Sequence, residues 1–376
     1  MGSEGQEDTI MSEESAEQIR GQRQEIAAAF GRDLDPLGQF ADELAGMDAD
    51  LFELFIMEVL DTRDIAASTK QDYRRVFEQW REHMVHEERH PACPSEEHAK
   101  SFIGKELDKG NGTGTVKNKI RKLSSAYNYW QGDAAFPHPQ DFDPFKSAMS
   151  KVSFPKGKKK QPPKLALAEL RSALEDVTNL RSRAIIGLQL KLGLRRGEVR
   201  NIKLSDVSLQ NQEVYSEVGS HPRLDDRPNA IYIPDDRSGN KSDHPRVLPL
   251  DDETRRILLH YLLIRPDSDE PWLFLTKHRH SQLVGKDINR IWEAAFRPEY
   301  AETESHSAIT SHFGRHRFTT YWRVERDVNR ELIKYMRGDS DGTAPIENRG
   351  AIDTYIHTYY EDVEDIYREG IYKLHL

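Results

Sequence analysis

The sequence predicts a mainly α-helical protein of two domains, the second carrying a small antiparallel sheet. Three observations lead there. The chain has 376 residues, more than one hydrophobic core ordinarily needs. Apolar residues recur at helical spacing through most of both halves, while only two short segments alternate as strands do. Between the halves lies a run of lysine, proline and glycine that continues neither pattern.

Charge is unevenly distributed. The chain carries a net −10, with 36% hydrophobic and 31% charged residues. Residues 1–60 hold fifteen carboxylates against three arginines and no lysine, a balance of −12, which leaves the other 316 residues at +2. An acidic leader therefore hides a more basic body from the bulk value. The single cysteine, Cys93, excludes an internal disulfide framework and a multi-cysteine zinc site. No stretch has the length and apolarity of a membrane span, and the acidic start does not resemble a secretory signal. A soluble, cytoplasmic protein without a membrane partner is expected.

Residues 1–40 read as an acidic, disordered leader. Residues 41–150 read as a helical domain. Leu44, Met47, Leu51, Leu54, Phe55 and Val59 predict one helix over Ala41–Val59, packed on its own domain in preference to a partner subunit. Ser68 or Thr69 is placed to cap the next helix, whose stripe is Tyr73, Val76, Phe77, Trp80 and Met84. After a glycine-punctuated loop at 111–115, Val116, Ile120, Leu123, Ala126, Tyr127 and Trp130 mark another helix. Its other side carries Lys117, Lys119, Arg121 and Lys122, a face suited to phosphates or simply to solvent. Residues 151–164 form a basic linker, with Lys156, Lys158, Lys159 and Lys160 as candidate phosphate contacts.

Residues 165–376 read as the second domain. Leu167–Leu204 is helical, with Ala184, Ile185, Leu188 and Leu192 buried below Arg195. Segments 230–234 and 246–250 alternate as a hairpin, and its polar loop carries Lys241. Asp251 caps the helix that follows, and Thr310 or Ser311 caps one holding His312 and Arg315. Val363, Ile366, Tyr367, Ile371 and Leu374 predict a terminal helix over 359–376.

Arg195, Lys241, His312, Arg315 and Tyr355, in this order, suit chemistry on a phosphodiester. A planar guanidinium donates two hydrogen bonds and stays charged while negative charge grows on phosphate oxygens. Each residue alone has a plainer reading. Arg195 and Glu198 are placed as an ordinary helix ion pair, and His312 and His316 stand four apart as helical metal ligands do, without a clear third ligand. Lys241 alone is a loop lysine and Tyr355 a half-buried aromatic.

Together these segments resemble a known family. Gly193–Glu198 (G-L-R-R-G-E), continuing to Val207, and Ser311–Thr320 (S-H-F-G-R-H-R-F-T-T) are similar to the arginine and histidine-x-x-arginine-histidine boxes of tyrosine recombinases, the lambda-integrase-like phage integrase and Xer group. The likeness runs from about Thr69 to the C-terminus. It implies an N-terminal helical core-binding, SAM-like domain and a C-terminal α+β catalytic domain, both facing double-stranded DNA. It further implies Arg195 and Arg315 as phosphate clamp, Lys241 as general acid, His312 as base or hydrogen-bond partner, and Tyr355 as nucleophile forming a 3′-phosphotyrosine. Neither ATP nor a metal or other cofactor enters that chemistry. Glu198 would orient Arg195, and His316 would support the phosphate or the helix. A synaptic tetramer, and in some settings an accessory DNA-binding factor, complete the expectation.

The sequence departs from the family at one point. Asp339 follows Gly338 where relatives carry histidine or tryptophan about nine residues before the nucleophile, and Tyr355 stands sixteen residues further on. A carboxylate repels a phosphate unless protonated. Tyr359 and Tyr360 therefore stay open as alternative nucleophiles. A catalytically silent DNA-binding protein and a type IB topoisomerase-like nicking-closing enzyme stay open as alternative functions.

Overall fold

The computed structural model describes residues 13–63, 65–155, 160–209, 218–297, 299–339 and 359–376. It divides into two compact units, Met1–Gly157 and Lys158–Leu376.

The described residues of the first unit form helices: α1 (Glu13–Ala29), α2 (Ala41–Ala45), α3 (Leu51–Phe55), α4 (Ala67–His86), α5 (Glu96–Asp108), α6 (Thr113–Gly132) and α7 (Pro144–Lys151). Their starts are chemically marked. Ser95 and His98 form a reciprocal capping box on α5, and Asp143 accepts from the amides of Phe145 and Lys146 with Pro144 opening α7. The core is aromatic, with Phe52, Phe77, Trp80, Tyr127 and Trp130 buried. The two indoles are satisfied by backbone carbonyls, Trp80 Nε1 donating to Pro91 at 2.8 Å and Trp130 Nε1 to Leu51 at 3.2 Å.

Three expectations change here. Residues 13–29, read as disordered, are helical: alanine, glutamate and glutamine are good helix formers, and Arg23 pairs with the buried Glu96 at 3.1 Å. Residues 1–12 lie outside the described set. The single helix expected over Ala41–Val59 is broken, because the Asp50 carboxylate accepts from the amides of Phe52 and Glu53 at 2.9 and 3.2 Å and starts α3 anew. Met47 is exposed. Helix α4 starts at Ala67 without a side-chain cap, so neither Ser68 nor Thr69 caps it.

The second unit holds α8 (Leu167–Glu175), α9 (Leu180–Leu192), α10 (Arg196–Arg200), β1 (Val207–Ser208), β2 (Ala230–Ile233), β3 (Arg246–Pro249), α11 (Asp252–Ile264), α12 (Gly285–Phe296), α13 (Ser311–Thr320), α14 (Arg330–Arg337) and α15 (Tyr360–Gly370). The sheet is antiparallel in the order β1-β2-β3, with Ile231 opposite Val207 and Leu248. It is covered on both faces. Ile231, Ile233 and Leu248 join the main core, while Ala230, Tyr232 and Val247 pack with Leu224 and Tyr360.

Helix α9 is the spine of this unit. Asn179 caps it through Ser182, and every residue from Ala184 to Leu192 is buried. Gly193 ends it at φ +65°, where a Cβ would meet the Phe318 ring at 2.6 Å, so both the left-handed turn and the close packing require glycine. One turn before Phe318 on α13, Gly314 lies against Gln189, letting α13 approach α9 closely. The buried Gln189 amide donates to the Leu194 carbonyl at 3.1 Å, and its oxygen accepts from Trp292 Nε1 at 2.6 Å. The α9 end is thereby tied to α12.

The terminal helix is shorter than expected. It ends at Gly370, and Ile371–Leu376 continue as an extended tail on the same unit. The amides of Leu374 and Leu376 donate to Glu253, and the Tyr372 hydroxyl to the Leu190 carbonyl at 2.6 Å. Lys191, wholly buried, lies 2.6 Å from Asp251 and 2.5 Å from Glu253. Backbone donors and a buried lysine reward the extended form more than another helical turn would. Among the described residues no helix is long and apolar enough to cross a membrane.

Candidate active site

Arg195 follows the α9 cap and stands at the N-terminal edge of α10. Three residues on, Glu198 is almost fully buried and accepts from the Arg195 amide at 2.6 Å. Its other oxygen lies 3.4 Å from Arg195 Nη1, 2.5 Å from the Ser242 hydroxyl, and 3.2 Å from both Nη1 and Nη2 of Arg246. Burial works to raise the Glu198 pKa. Arg246, Ser242, the Arg195 amide and Arg315 outweigh it, and the carboxyl is held below its ordinary value. Glu198 thus contacts Arg195 more closely through the backbone than through the guanidinium.

Arg315 projects from α13 with its side chain 3% exposed. Nη1 donates to the Gly193 and Arg337 carbonyls at 2.9 and 3.0 Å, which orients the guanidinium. Nη2 donates to Asp339 Oδ1 at 2.5 Å, and Arg195 Nη2 donates to the same oxygen at 2.6 Å. Arg337 Nε lies 2.8 Å from Oδ2. Three guanidinium groups therefore surround one carboxylate. Burial, then the Arg195 and Arg337 cations, pushes Arg315 down to about 9. Burial is the first cause and the neighbouring cations the second, and an anion among the three guanidinium groups offsets both.

Asp339 reaches this position because Gly338 closes α14 in the left-handed conformation, at φ +63°. A Cβ at Gly338 would lie 2.3 Å from Arg246 Nη1. The departure noted in the sequence is thus the centre of the cluster.

The loop bearing Lys241 is fastened to the same structure. Asn201 donates to the Ser238 carbonyl at 3.0 Å and to Asn240 Oδ1 at 2.8 Å, and the Asp243 amide donates to the Gly338 carbonyl at 3.2 Å. Gly197 faces the Gly239 carbonyl so closely that a Cβ would come within 2.1 Å of it. Lys241 itself is exposed and makes no ion pair among the described residues. It adjoins Ser242, which is held on Glu198.

His312 and His316 lie on the exposed side of α13, their rings 4.4 Å apart edge to face. Partial burial, then His316, Arg315, Arg337 and Arg195, lowers the His312 pKa, which favours the neutral ring. Among the described residues no group of three metal-ligating side chains includes them. Ser311 donates to Asn289 at 2.6 Å, and the Thr310 side chain makes no capping bond.

Tyr355 lies outside the described residues. Tyr359 is exposed, whereas Tyr360 is buried with its hydroxyl donating to Glu364 at 2.9 Å, and burial pushes its pKa up. Of the expected phosphate contacts, Lys156, Lys158 and Lys159 also lie outside the described residues. Lys160 pairs with Glu302 at 2.7 Å. On α6, Lys119 is paired with the buried Glu106 and Lys122 with Asp72. Lys117 lies 4.5 Å over the Phe154 ring, and Arg121 remains exposed beside Asn118. The basic residues of α6 therefore do not form one unbroken solvated stripe.

Sequence reasoning gave Arg246 and Arg337 no role. Each left a faint signal: an arginine inside an apolar strand, and an arginine in the last helical turn before a left-handed glycine. A separate cavity of about 770 Å³, lined in part by Arg181, Lys277, Arg279 and Arg290, contains none of the residues expected from sequence.

Residues 164–343 match the sequence model described as the Phage integrase family. The protein named "Putative integrase/recombinase y4rF" of Sinorhizobium fredii is 32% identical over 121 residues, 31% of this chain and 24% of that protein. The alignment thus spans about a quarter of that relative's length. Among solved structures, the Tn1549 transposon integrase in complex with transposon right-end DNA is similar with a TM-score of 0.55 and 18% identity, over 84% of this chain and 97% of that one. A lambda integrase dimer bound to a COC′ core site is similar with a TM-score of 0.53 and 13% identity, over 83% of this chain and 76% of that one. A lambda integrase tetramer bound to a Holliday junction gives a TM-score of 0.55 at 13% identity, over 88% and 89%. At these identities the structural likeness concerns the fold.

Proposed function

The chain belongs to the phage integrase family of tyrosine recombinases, and from that membership we propose that it is a site-specific recombinase that cleaves and rejoins DNA through a 3′-phosphotyrosine. The observation that carries the reading is the meeting of Arg195 and Arg315, distant in sequence, at a single oxygen of Asp339. Guanidinium donors aimed at one anionic point are what a phosphoryl transfer requires.

In this reading the Tyr355 oxygen bonds to phosphorus as the bond to the deoxyribose 5′-oxygen breaks. The phenolic proton passes to His312, whose cationic surroundings favour its neutral form. Lys241, exposed on its anchored loop, gives a proton to the leaving oxygen. Arg195 and Arg315 donate to the non-bridging oxygens, and each such donor contributes about 3 kcal/mol of barrier lowering, roughly a hundredfold in rate. The phosphotyrosine ester keeps the energy of the broken bond, so attack by a 5′-hydroxyl reseals the strand without ATP. The arginines provide the charge that a metal ion would otherwise bring. Double-stranded DNA is the substrate, and the tetramer described for lambda integrase supports an assembly of four copies on two duplexes, with any accessory factor acting there.

A DNA duplex nicked beside the cleavage point traps the covalent adduct. The expected result is an adduct in the native protein and none in Tyr355→Phe or Arg315→Ala. The Asp339 carboxylate in the clamp favours one other reading, a silent DNA-binding protein. Sequence-specific binding without any adduct would establish that reading. Relaxation of plasmid lacking a specific site would instead point to a nicking-closing enzyme.

A further inference from the structure

We propose that the Asp339 carboxylate occupies the position of the substrate phosphate, and that Arg337 is a third cation of the phosphate clamp. The inference rests on the recombinase reading and extends it to two residues that reading leaves without a role.

A carboxylate and a phosphodiester both present paired anionic oxygens to guanidinium donors. Here Oδ1 is shared by Arg195 at 2.6 Å and Arg315 at 2.5 Å, while Arg337 Nε stands 2.8 Å from Oδ2. The Arg337 carbonyl also accepts from Arg315 Nη1 at 3.0 Å, so the position of this residue is coupled to that of the clamp. The fit of Arg337 to the carboxylate is incomplete. Its Nε is buried and makes no aligned hydrogen bond among the described residues, despite the short separation. A buried donor that the internal anion does not fully satisfy is available to an anion of different shape.

The site is also open enough to exchange. Asp339, Arg195 and Arg337 keep side-chain exposures of 25%, 25% and 28%, whereas Arg315 behind them is nearly enclosed. The Asp339 amide is held on the Lys334 carbonyl at 3.1 Å, so rotation of the Asp339 side chain alone withdraws the carboxylate without unwinding α14. Phosphate must therefore displace an anion already in place. The clamp engages only a ligand that outcompetes a tethered carboxylate, as a duplex held along its backbone does and a small free anion does poorly.

The test uses inorganic phosphate as probe, read as the rise in melting temperature of the full chain at constant ionic strength with chloride as control. Asp339→Asn is expected to lower the phosphate concentration for half-maximal stabilisation at least tenfold against the native protein. Asp339→Ser guards against a folding defect peculiar to asparagine. Adding Arg337→Gln to Asp339→Asn is expected to remove most of the gain. Unchanged phosphate affinity in both Asp339 variants, or a gain that survives Arg337→Gln, would overturn the proposal. The nicked-duplex adduct is scored in parallel. Adduct formation with no change in phosphate binding sinks this inference and leaves the recombinase reading intact. Tighter phosphate binding with no adduct upholds the clamp and counts against catalysis.

Discussion

Glu198 and Arg246 form a fully buried ion pair, with one carboxylate oxygen 3.2 Å from both terminal guanidinium nitrogens. The pair fastens β3 to α10, and through the Met336 carbonyl, 2.8 Å from Arg246 Nε, it reaches α14. Removing Arg246 leaves the buried Glu198 to the more distant Arg195 guanidinium at 3.4 Å, and breaking a buried pair costs about 3–5 kcal/mol. Arg246→Met is therefore expected to lower stability by that amount in urea denaturation at neutral pH. Glu198→Gln combined with Arg246→Met should recover part of the loss, because no ion is then stranded. A loss under about 1 kcal/mol in the single variant would contradict the role given to the pair.

The contact between Gly197 and the Gly239 carbonyl sets the distance between α10 and the Lys241 loop. A methyl group at residue 197 would come within 2.1 Å of a backbone oxygen, so the loop has to move outward. Overpacking of this kind costs about 1–3 kcal/mol. Gly197→Ala is expected to destabilise the chain by that amount and to slow adduct formation. Gly104→Ala, where nothing lies within 4 Å, is expected to do neither. Equal adduct rates in the two variants would separate the loop position from the chemistry.

How far the site was legible depends on how local its determinants are. Arg195, Glu198, His312 and Arg315 sit in short segments whose spacing states their geometry, and the hairpin around Lys241 follows from alternation and a polar loop. The roles of Arg246 and Arg337 arise from partners far along the chain, as in the Arg195 contact to the Arg337 carbonyl. The sequence marks the turn at Gly338 but not what Asp339 meets beyond it. In the first unit, Met47 sits at helical spacing and masks the break that Asp50 imposes. The tail after Gly370 keeps helical spacing in Ile371 and Leu374. It is extended because Glu253 accepts its amides, an interaction that a one-dimensional pattern does not contain.

That tail should be sensitive to acid. Burial works to raise the Asp251 pKa, but Lys191, Lys373 and Thr254 outweigh it and bring the carboxyl down to about 2 from 3.8. A depressed carboxylate stabilises the fold above its unfolded pKa, and that contribution is lost as pH falls through the folded value. The shift corresponds to about 2 kcal/mol, present at pH 5 and disappearing between roughly pH 4 and 2. Glu253 is lowered as well and adds in the same direction. Hydrogen exchange of the Leu374 and Leu376 amides is expected to accelerate across this window. In Lys191→Met the same amides should exchange quickly already at neutral pH. Exchange rates independent of both acid and residue 191 would detach the tail from the ion network.

His312 predicts a second pH dependence, in activity. Partial burial and the neighbouring cations lower its pKa, so at a given acidic pH more of the ring is neutral than in an ordinary histidine. In its proposed role as acceptor of the nucleophile's proton it works only when neutral. Adduct formation is therefore expected to persist below pH 6.5 and to fall only as the lowered value is crossed. His316→Ala removes one neighbour that disfavours protonation, so the acid limb should move to higher pH. An acid limb in the native protein above the ordinary histidine value would contradict the assignment of His312 as base.

The choice of nucleophile can be decided among the three neighbouring tyrosines. The Tyr360 hydroxyl donates to Glu364 and accepts from Arg368 Nη2 at 3.3 Å, and its ring packs beneath the sheet with Tyr232 and Val247. Attack from there would first break the bond to Glu364 and then expose a buried ring. Tyr360→Phe is expected to cost about 1 kcal/mol of stability, the net worth of a hydrogen bond, and to keep its adduct. Tyr359 is exposed, with its amide donating to the Asp362 carboxylate at 2.8 Å and its carbonyl accepting from the Asp362 amide at 3.2 Å, so Tyr359→Phe should also keep the adduct. Tyr355→Phe should abolish it, and the peptide recovered on cleaved DNA should contain residue 355. A DNA-linked peptide joined at Tyr359 would move the nucleophile to the residue just before α15, and one joined at Tyr360 would place it on α15 and require that helix to leave its present packing during catalysis.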